Sequence, residues 1–325
     1  MWPKSFWHRY EKVIRKGAGL GTVPELPDHN IYDKRHQHCD VLVVGGGPAG
    51  ISAALAAGRA GARVILVDEQ AELGGALLGN GERIESRSGV DWALGARAKL
   101  DGMAEVQVLT RTTAFGYYDH NYLLMVERIN DHVGAPAGSL RQRLWKIRAR
   151  QVVLATGAIE RQMVFANNDR PGIMLAGAAQ TYVNRYGAKP GNRAALFVNN
   201  DGAYRAALDL ANAGIRVEAV VDMRANPSGE AVAAVRERGI DILAHHAVGG
   251  ALGSKSLRAI EVLALNKKGD GFAGDIRRLR CDLLCLSGGW SPTVHLFSQA
   301  GGKLDFDDKQ ACFVPGEARQ EVLSA

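Results

Sequence analysis

Apolar and polar positions along the 325-residue chain change their period several times, and each change marks an element. In "MWPKSFWHRYEKVIRKGAG", Trp2, Phe6, Tyr10, Val13, Ile14 and Gly17 fall on one stripe, and Pro3 stands where the first turn of a helix tolerates it. This predicts an amphipathic helix, ended by glycine, whose aromatic stripe packs against the body of the protein. The next segment, "TVPELPDHNIYDKRHQHC", is rich in Pro, Asp and His, and reads as a loop. From Asp40 the order becomes strand, glycine turn, helix, strand: "DVLVVGG", "GPAGISAALAAGRAGA", "RVILVDE". That is a βαβ unit. "VQVLTRTTAFGYYDHNYLLMVER" predicts short antiparallel strands, "ARQVVLATGA" a buried strand ending in a Thr-Gly turn, and "GIMLAGAAQTYVNRYG" a helix. Past a hinge at Gly187 to Gly191, "RAALFVNN", "DGAYRAALDLANAGI" and "RVEAVVD" repeat the strand, helix, strand order, and "CDLLCLSGGWSPTVHLF" reads as the chain returning to the first unit.

These elements predict an α/β fold of two Rossmann-like, dinucleotide-binding-type domains of the FAD/NAD(P)-binding superfamily, the second inserted in the first. Residues 1–38 make an N-terminal helix and linker, 39–188 with 286–325 the first domain, and 189–285 a second, glycine-poor one. Counting supports the repeat. The 17 residues from Ile51 to Val67 separate Gly50 from Asp68, and the 17 from Arg205 to Val221 separate Tyr204 from Asp222. Asn199, Asp201 and Tyr204 therefore occupy the glycine slots of the second unit.

A pyrophosphate needs a tight turn, a stretch of bare backbone, and a helix N-terminus with unpaired N–H groups. Gly45, Gly47 and Gly50, with Pro48 among them, supply these in turn, and Gly50→Asp is expected to place a carboxylate at the pyrophosphate. Asp68, backed by Glu69, stands at the end of the second strand, where an acid accepts hydrogen bonds from the adenosine ribose and repels a 2′-phosphate. The spacing leaves NAD and FAD both open. Two further glycine turns, Gly74 and Gly75 in "ELGGALLG" and Thr156 and Gly157 in "ATGAIER", fit places where backbone passes close to a nucleotide or turns on its own. In the second unit, Asp201 would face a pyrophosphate and Tyr204 replaces the packing glycine, so that unit is expected to keep the fold without binding a dinucleotide.

Composition narrows the rest. At 46% hydrophobic the chain is globular, and no apolar run of about 18 residues predicts a membrane span. A cytoplasmic location is the expectation. The net charge of +6 is spread, with no basic helix interleaved with aromatics, which argues against nucleic acid as a partner. The four cysteines, Cys39, Cys281, Cys285 and Cys312, read as reduced, buried thiols. His36 and His38 lack a second ligand cluster, so no metal is expected. No catalytic constellation is visible, and His245 and His246 read as a loop-facing pair without function.

The stretches "MWPKSFWHRYEKVIRKGAGLG", "CDVLVVGGGPAGISAALAAGRAGARVILVDEQAELGG", "VVLATGAIERQMVFANNDRPGIMLAGAAQTYVNRYG" and "LSGGWSPTVHLFSQAGGKL" together resemble the alpha subunit of heterotetrameric sarcosine oxidase. The resemblance runs along essentially the whole chain. It implies a complex with beta, gamma and delta subunits that demethylates sarcosine to glycine. The other products are hydrogen peroxide and either formaldehyde or methylenetetrahydrofolate. It further implies FMN at an interface with the beta chain and NAD on the alpha chain, with contacts at Ala49, Asp68, Glu69, Gln70 and Ala76. Members of that family carry an upstream ferredoxin-like region and a downstream aminomethyltransferase-like folate domain, neither of which this sequence contains. It is expected to be a fragment, inactive alone, stopping before the strand that closes the cofactor site. Gln162 stands where the family tends to have proline. Rival expectations are a self-sufficient FAD/NADH-dependent oxidoreductase, a subunit of an amine, opine or hydrogen-cyanide-forming dehydrogenase, and a non-enzymatic scaffold braced by NAD.

Overall fold

The computed structural model describes residues 3–21, 25–134, 136 and 138–324; Trp2 of the expected aromatic stripe lies outside them. A short 3-10 turn leads into α1 (Trp7–Gly17), so the helix forms where the stripe predicts it. Its docking differs from expectation. No residue of α1 is buried, and Trp7 and Val13 are 50% and 73% exposed. Amphipathic period specifies a helix but not what covers its apolar face.

The second departure follows at once. β1 spans Ile31–Val44 and takes in most of the expected loop. Residues 31–38 show no alternation of apolar and polar positions. They are extended because they pair in parallel with residues 140–148 of β8 (Leu140–Leu154), helped by the Arg143 guanidinium, which donates to Asp33 at 2.9 Å. Long-range pairing of this kind leaves no local sequence signal.

Beyond β1 come α2 (Pro48–Arg59) and β2 (Val64–Val67) as predicted, then a small hairpin of β3 (Arg83–Ile84) and β4 (Arg87–Ser88) and α3 (Gly89–Asp101), which no pattern announced. β5 (Val106–Leu109) pairs in parallel with β2 rather than antiparallel as expected, and the antiparallel β6 (Thr112–Tyr118), β7 (Tyr122–Arg128) and β8 follow, the last starting earlier than expected. The sheet order is β5-β2-β1-β8-β7-β6. α2 and α3 bury Ile51, Leu55, Ala96 and Leu100 against one face of its parallel strands. On the other face, Tyr117, Met125, Trp145 and Ile147 of the antiparallel strands share a core with Leu42, Ile65 and Phe297.

After a short β9 (Ala158–Glu160) the chain enters a second sheet through β10 (Ile173–Leu175), α4 (Ala176–Tyr186), β11 (Arg193–Val198), α5 (Gly202–Asn212), β12 (Arg216–Asp222), α6 (Glu230–Glu237) and β13 (Ile242–Ala244). A three-stranded antiparallel sheet follows: β14 (His246–Leu252), β15 (Ala259–Leu265) and β16 (Phe272–Arg280). β17 (Leu283–Ser287) then inserts between β10 and β11. Helices α4 to α6 cover one face of the five-stranded sheet, and Val248, Ile260 and Val262 of the antiparallel sheet cover the other.

The second unit is thus wider than residues 189–285. β10 pairs with β17 and the small side chains of Ala176 and Ala179 join its core, so residues 173–186 belong to it, as does all of β17. A three-residue strand followed by an alanine-rich helix carries too little pattern to show which sheet it will join. From β18 (Trp290–Pro292) the chain passes through α7 (His295–Gln299) and a hairpin of β19 (Leu304–Asp307) and β20 (Cys312–Pro315) to β21 (Val322–Ser324), which pairs in parallel with β8. β21 thus adds a further strand to the first sheet.

Candidate dinucleotide site

Leu42, Val43 and Val44 are buried, which holds β1 in the middle of its sheet and delivers Gly45 to the edge. There the backbone must reverse into α2. Gly45 does so at a φ of 106°, and a Cβ on it would lie 2.1 Å from the Ala155 carbonyl oxygen, so only glycine fits. At Gly50 a Cβ would lie 1.8 Å from the Gly45 carbonyl oxygen. Its absence lets α2 lie on β1. Gly50 is therefore a packing glycine, and an aspartate there would break the turn rather than present a carboxylate to a ligand.

Gly47 is different. Its backbone is extended, with a φ of −73°, and nothing lies within 4 Å of its Cβ position. It forms an open notch at the start of α2, where Pro48 leads the helix, no side chain caps it, and Ala49 is exposed. The unpaired N–H groups and positive dipole end of a helix face such a notch.

Asp68, Gly74 and Gly75 lie beside the notch. Asp68 accepts the Gly46 N–H at 2.5 Å through one carboxylate oxygen and the Gln70 N–H at 2.7 Å through the other. Burial pushes its pKa up, against the pull of those two N–H groups. Glu69 and Gln70 are tied down through their carbonyls, which accept from the Arg128 guanidinium and the Arg111 N–H. Gly74 donates its N–H to Gly46 O at 2.8 Å, and the Cβ position of Gly75 is 2.9 Å from Gly47 Cα, so the second glycine turn borders the first. Thr156 and Gly157 clasp Thr293: the Thr156 hydroxyl donates to Thr293 O, and Gly157 O accepts the Thr293 N–H. Thr156 and Gly157 line a small pocket with Pro292, Val294 and Phe297, and Ala76 lines a large cavity beside α4 and α5.

The second unit has spent its equivalent groups. Tyr204, in the third glycine slot, is fully buried and donates its hydroxyl to Asp222 at 2.7 Å. Asp222 has no exposed surface and also accepts from the Arg224 guanidinium at 2.8 Å, while Arg224 reaches Asp201 at 2.7 Å. An acid so enclosed has no access to a ribose.

Among the described residues nothing else competes as a reactive centre. No group of His, Cys, Asp and Glu there could hold a metal ion, and no helix is long and apolar enough to cross a membrane. All four cysteines are free and buried, and burial lifts the Cys39 and Cys281 thiols to about 12, far from a reactive thiolate. The sequence does not announce the cavity that Ala76 borders, nor Glu160 and Trp290 on its wall. Its lining comes from segments far apart in the chain, and no motif marks it.

The model of the FAD dependent oxidoreductase family matches residues 40–83, the span of the glycine turn and Asp68. In fold, the chain is similar to L-proline dehydrogenase from P. horikoshii (TM-score 0.66, 24% identity, 90% of this chain and 51% of that one). It is also similar to T. acidophilum thioredoxin reductase (TM-score 0.61, 19% identity, 89% of each chain). Fold and glycine turn together define an α/β protein with the FAD/NAD(P)-binding type of fold. The chain is 45% identical to the sarcosine oxidase alpha subunit of Rhizobium meliloti (strain 1021) over 98% of its own length and 31% of the relative's. It is 44% identical to that of Corynebacterium sp. (strain U-96), over 93% of its own length and 31% of the relative's. An opine oxidase subunit of Agrobacterium tumefaciens (strain Ach5) is more distant, at 28% identity over 85% of this chain and 57% of the relative. Over the region it spans, about 31% of the sarcosine oxidase relatives' length, the chain belongs to the sarcosine oxidase alpha-subunit family.

Proposed function

We propose that the chain is the NAD-holding region of an oxidoreductase subunit of the sarcosine oxidase type. The observation that carries this is the open notch at Gly47, set beside Asp68 in a chain so similar to sarcosine oxidase alpha subunits. In this reading the N–H groups at the start of α2 bind the pyrophosphate, Gly47 lets it approach, and Gly74 and Gly75 close over it. Asp68 and Glu69 accept the adenosine ribose hydroxyls and repel a 2′-phosphate; Gln70 and Ala76 lie further along, and Thr156 and Gly157 form the far wall. Bound NAD supplies hydride-accepting chemistry, and the site as read holds it rather than turning it over.

The reaction assigned to the whole assembly is oxidative demethylation of sarcosine to glycine. It yields hydrogen peroxide and formaldehyde or methylenetetrahydrofolate, with beta, gamma and delta partners and FMN at a subunit interface, in the cytoplasm. The fully enclosed Asp222 supports a single dinucleotide per chain. A second reading, FAD in the same notch, is favoured by the family model over residues 40–83.

Calorimetric titration of the chain, stripped of any nucleotide that purifies with it, with NAD and with FAD tests the assignment. The wild-type chain is expected to bind NAD and the Gly47→Asp variant, folded equally well, to bind neither. Equal binding by both proteins would remove the first turn as the site.

A further inference from the structure

Between residues 76–82 of the first unit and the starts of α4, α5 and α6 lies a cavity of about 710 Å³, which shares only Ala76 with the residues of the dinucleotide reading. Its size suits a whole small organic molecule. Among its lining residues are Glu82, Glu160, Asp201, Glu230, Arg205 and Trp290.

Glu160 is only 8% exposed, yet it lines the cavity, with its carboxylate against Gly177 of the same wall. It accepts the Gly177 N–H at 2.8 Å, and the Ser287 hydroxyl lies against it; among the described residues no cation pairs with it. A buried carboxylate without a cation is costly to keep ionised, and burial accordingly pushes its pKa up. Trp290 pairs with Glu160 across the β9–β18 ribbon and is 44% exposed. Its Cη2 is 3.7 Å from the Cβ position of Gly177 and its Nε1 is 3.8 Å from that of Gly202, so the ring bridges the starts of α4 and α5. Glycine at both places leaves the ring clear of side chains.

The charges point one way. Arg205 is paired with Glu82, and Arg224 reaches Asp201 from the β12 side. Both guanidinium groups are thus already matched by carboxylates, and among the described residues Glu160 and Glu230 have no cation of their own. Asp201 stands at the turn where a pyrophosphate would lie, which disfavours phosphate esters.

We propose that this cavity binds a small organic cation, an ammonium or guanidinium compound without phosphate, between the Glu160 carboxylate and the Trp290 ring. The carboxylate supplies the countercharge and the indole a cation–π face. The cation in turn gives Glu160 the partner that its burial calls for.

The test is ¹⁹F NMR of the full chain labelled with 5-fluorotryptophan, the Trp290 signal being assigned by its loss in Trp290→Phe. Tetramethylammonium should move that signal saturably, before the other indoles respond. Glu160→Gln keeps an acceptor for the Gly177 N–H while removing the charge, and should weaken the response about tenfold or more. Ser228→Arg, at an exposed lining position, should abolish it by placing a guanidinium in the cavity, and keeps the test open should Glu160→Gln fold poorly. A Trp290 signal that ignores tetramethylammonium, that answers instead to inorganic phosphate or NADH, or that titrates alike in all three proteins overturns the proposal.

Discussion

Three glycines of one motif do different work, and substitutions separate them. At Gly47 a Cβ meets nothing within 4 Å and the backbone angles suit any residue, so Gly47→Asp should keep wild-type stability while losing the nucleotide. At Gly50 even alanine must displace the Gly45 carbonyl. Gly50→Ala should cost on the order of 2 to 4 kcal/mol in urea unfolding, and a loss near zero would contradict the packing role. Asp68 has to be ionised to accept ribose hydroxyls, yet burial favours its neutral form. Nucleotide affinity should therefore fall with decreasing pH while still above the ordinary carboxylate range, as the folded-state group takes up its proton early. The same sign makes ionised Asp68 a small liability to the free protein, relieved at lower pH. Asp68→Asn should lose about 1 to 3 kcal/mol of binding and flatten the pH dependence, measured by calorimetry across the acid range.

Among the elements, those that announce themselves locally were legible. The apolar runs around Gly45 and the spacing to Asp68 define the βαβ unit, and the matching count from Tyr204 to Asp222 identifies the second unit and its blocked slots. The structure adds the cause: the tyrosine in the glycine slot binds the acid that would read a ribose. Tyr204→Phe should destabilise the protein by about 1 to 3 kcal/mol, by leaving part of a buried carboxylate unpartnered, without changing nucleotide content. A loss of nucleotide in that variant would show that the second unit takes part in binding. What local pattern does not encode is partnership. The first half of β1 is a strand through β8, β10 and α4 join the sheet that their small side chains fit, and α1 carries a stripe that none of the described residues buries. Val13→Ser with Ile14→Ser should accordingly leave the melting temperature of the isolated chain unchanged; a marked drop would mean that the stripe is packed after all.

At the scale of the whole molecule, two Rossmann-like units share a chain, and the first has the open turn while the second has filled its own. Long-range contact is also what assembles the cavity beside α4, α5 and α6, from residues as distant as Ala76 and Trp290. The glycine turn itself was readable from spacing alone, because its residues are consecutive and each has a steric reason to be there. Which dinucleotide it holds was not, because NAD and FAD offer the same adenosine diphosphate to it. The most direct test is to purify the chain as expressed, denature it, and identify and count the released nucleotide by absorbance and mass. The account predicts NAD, close to one per chain, without flavin. FAD, or two dinucleotides per chain, would contradict it.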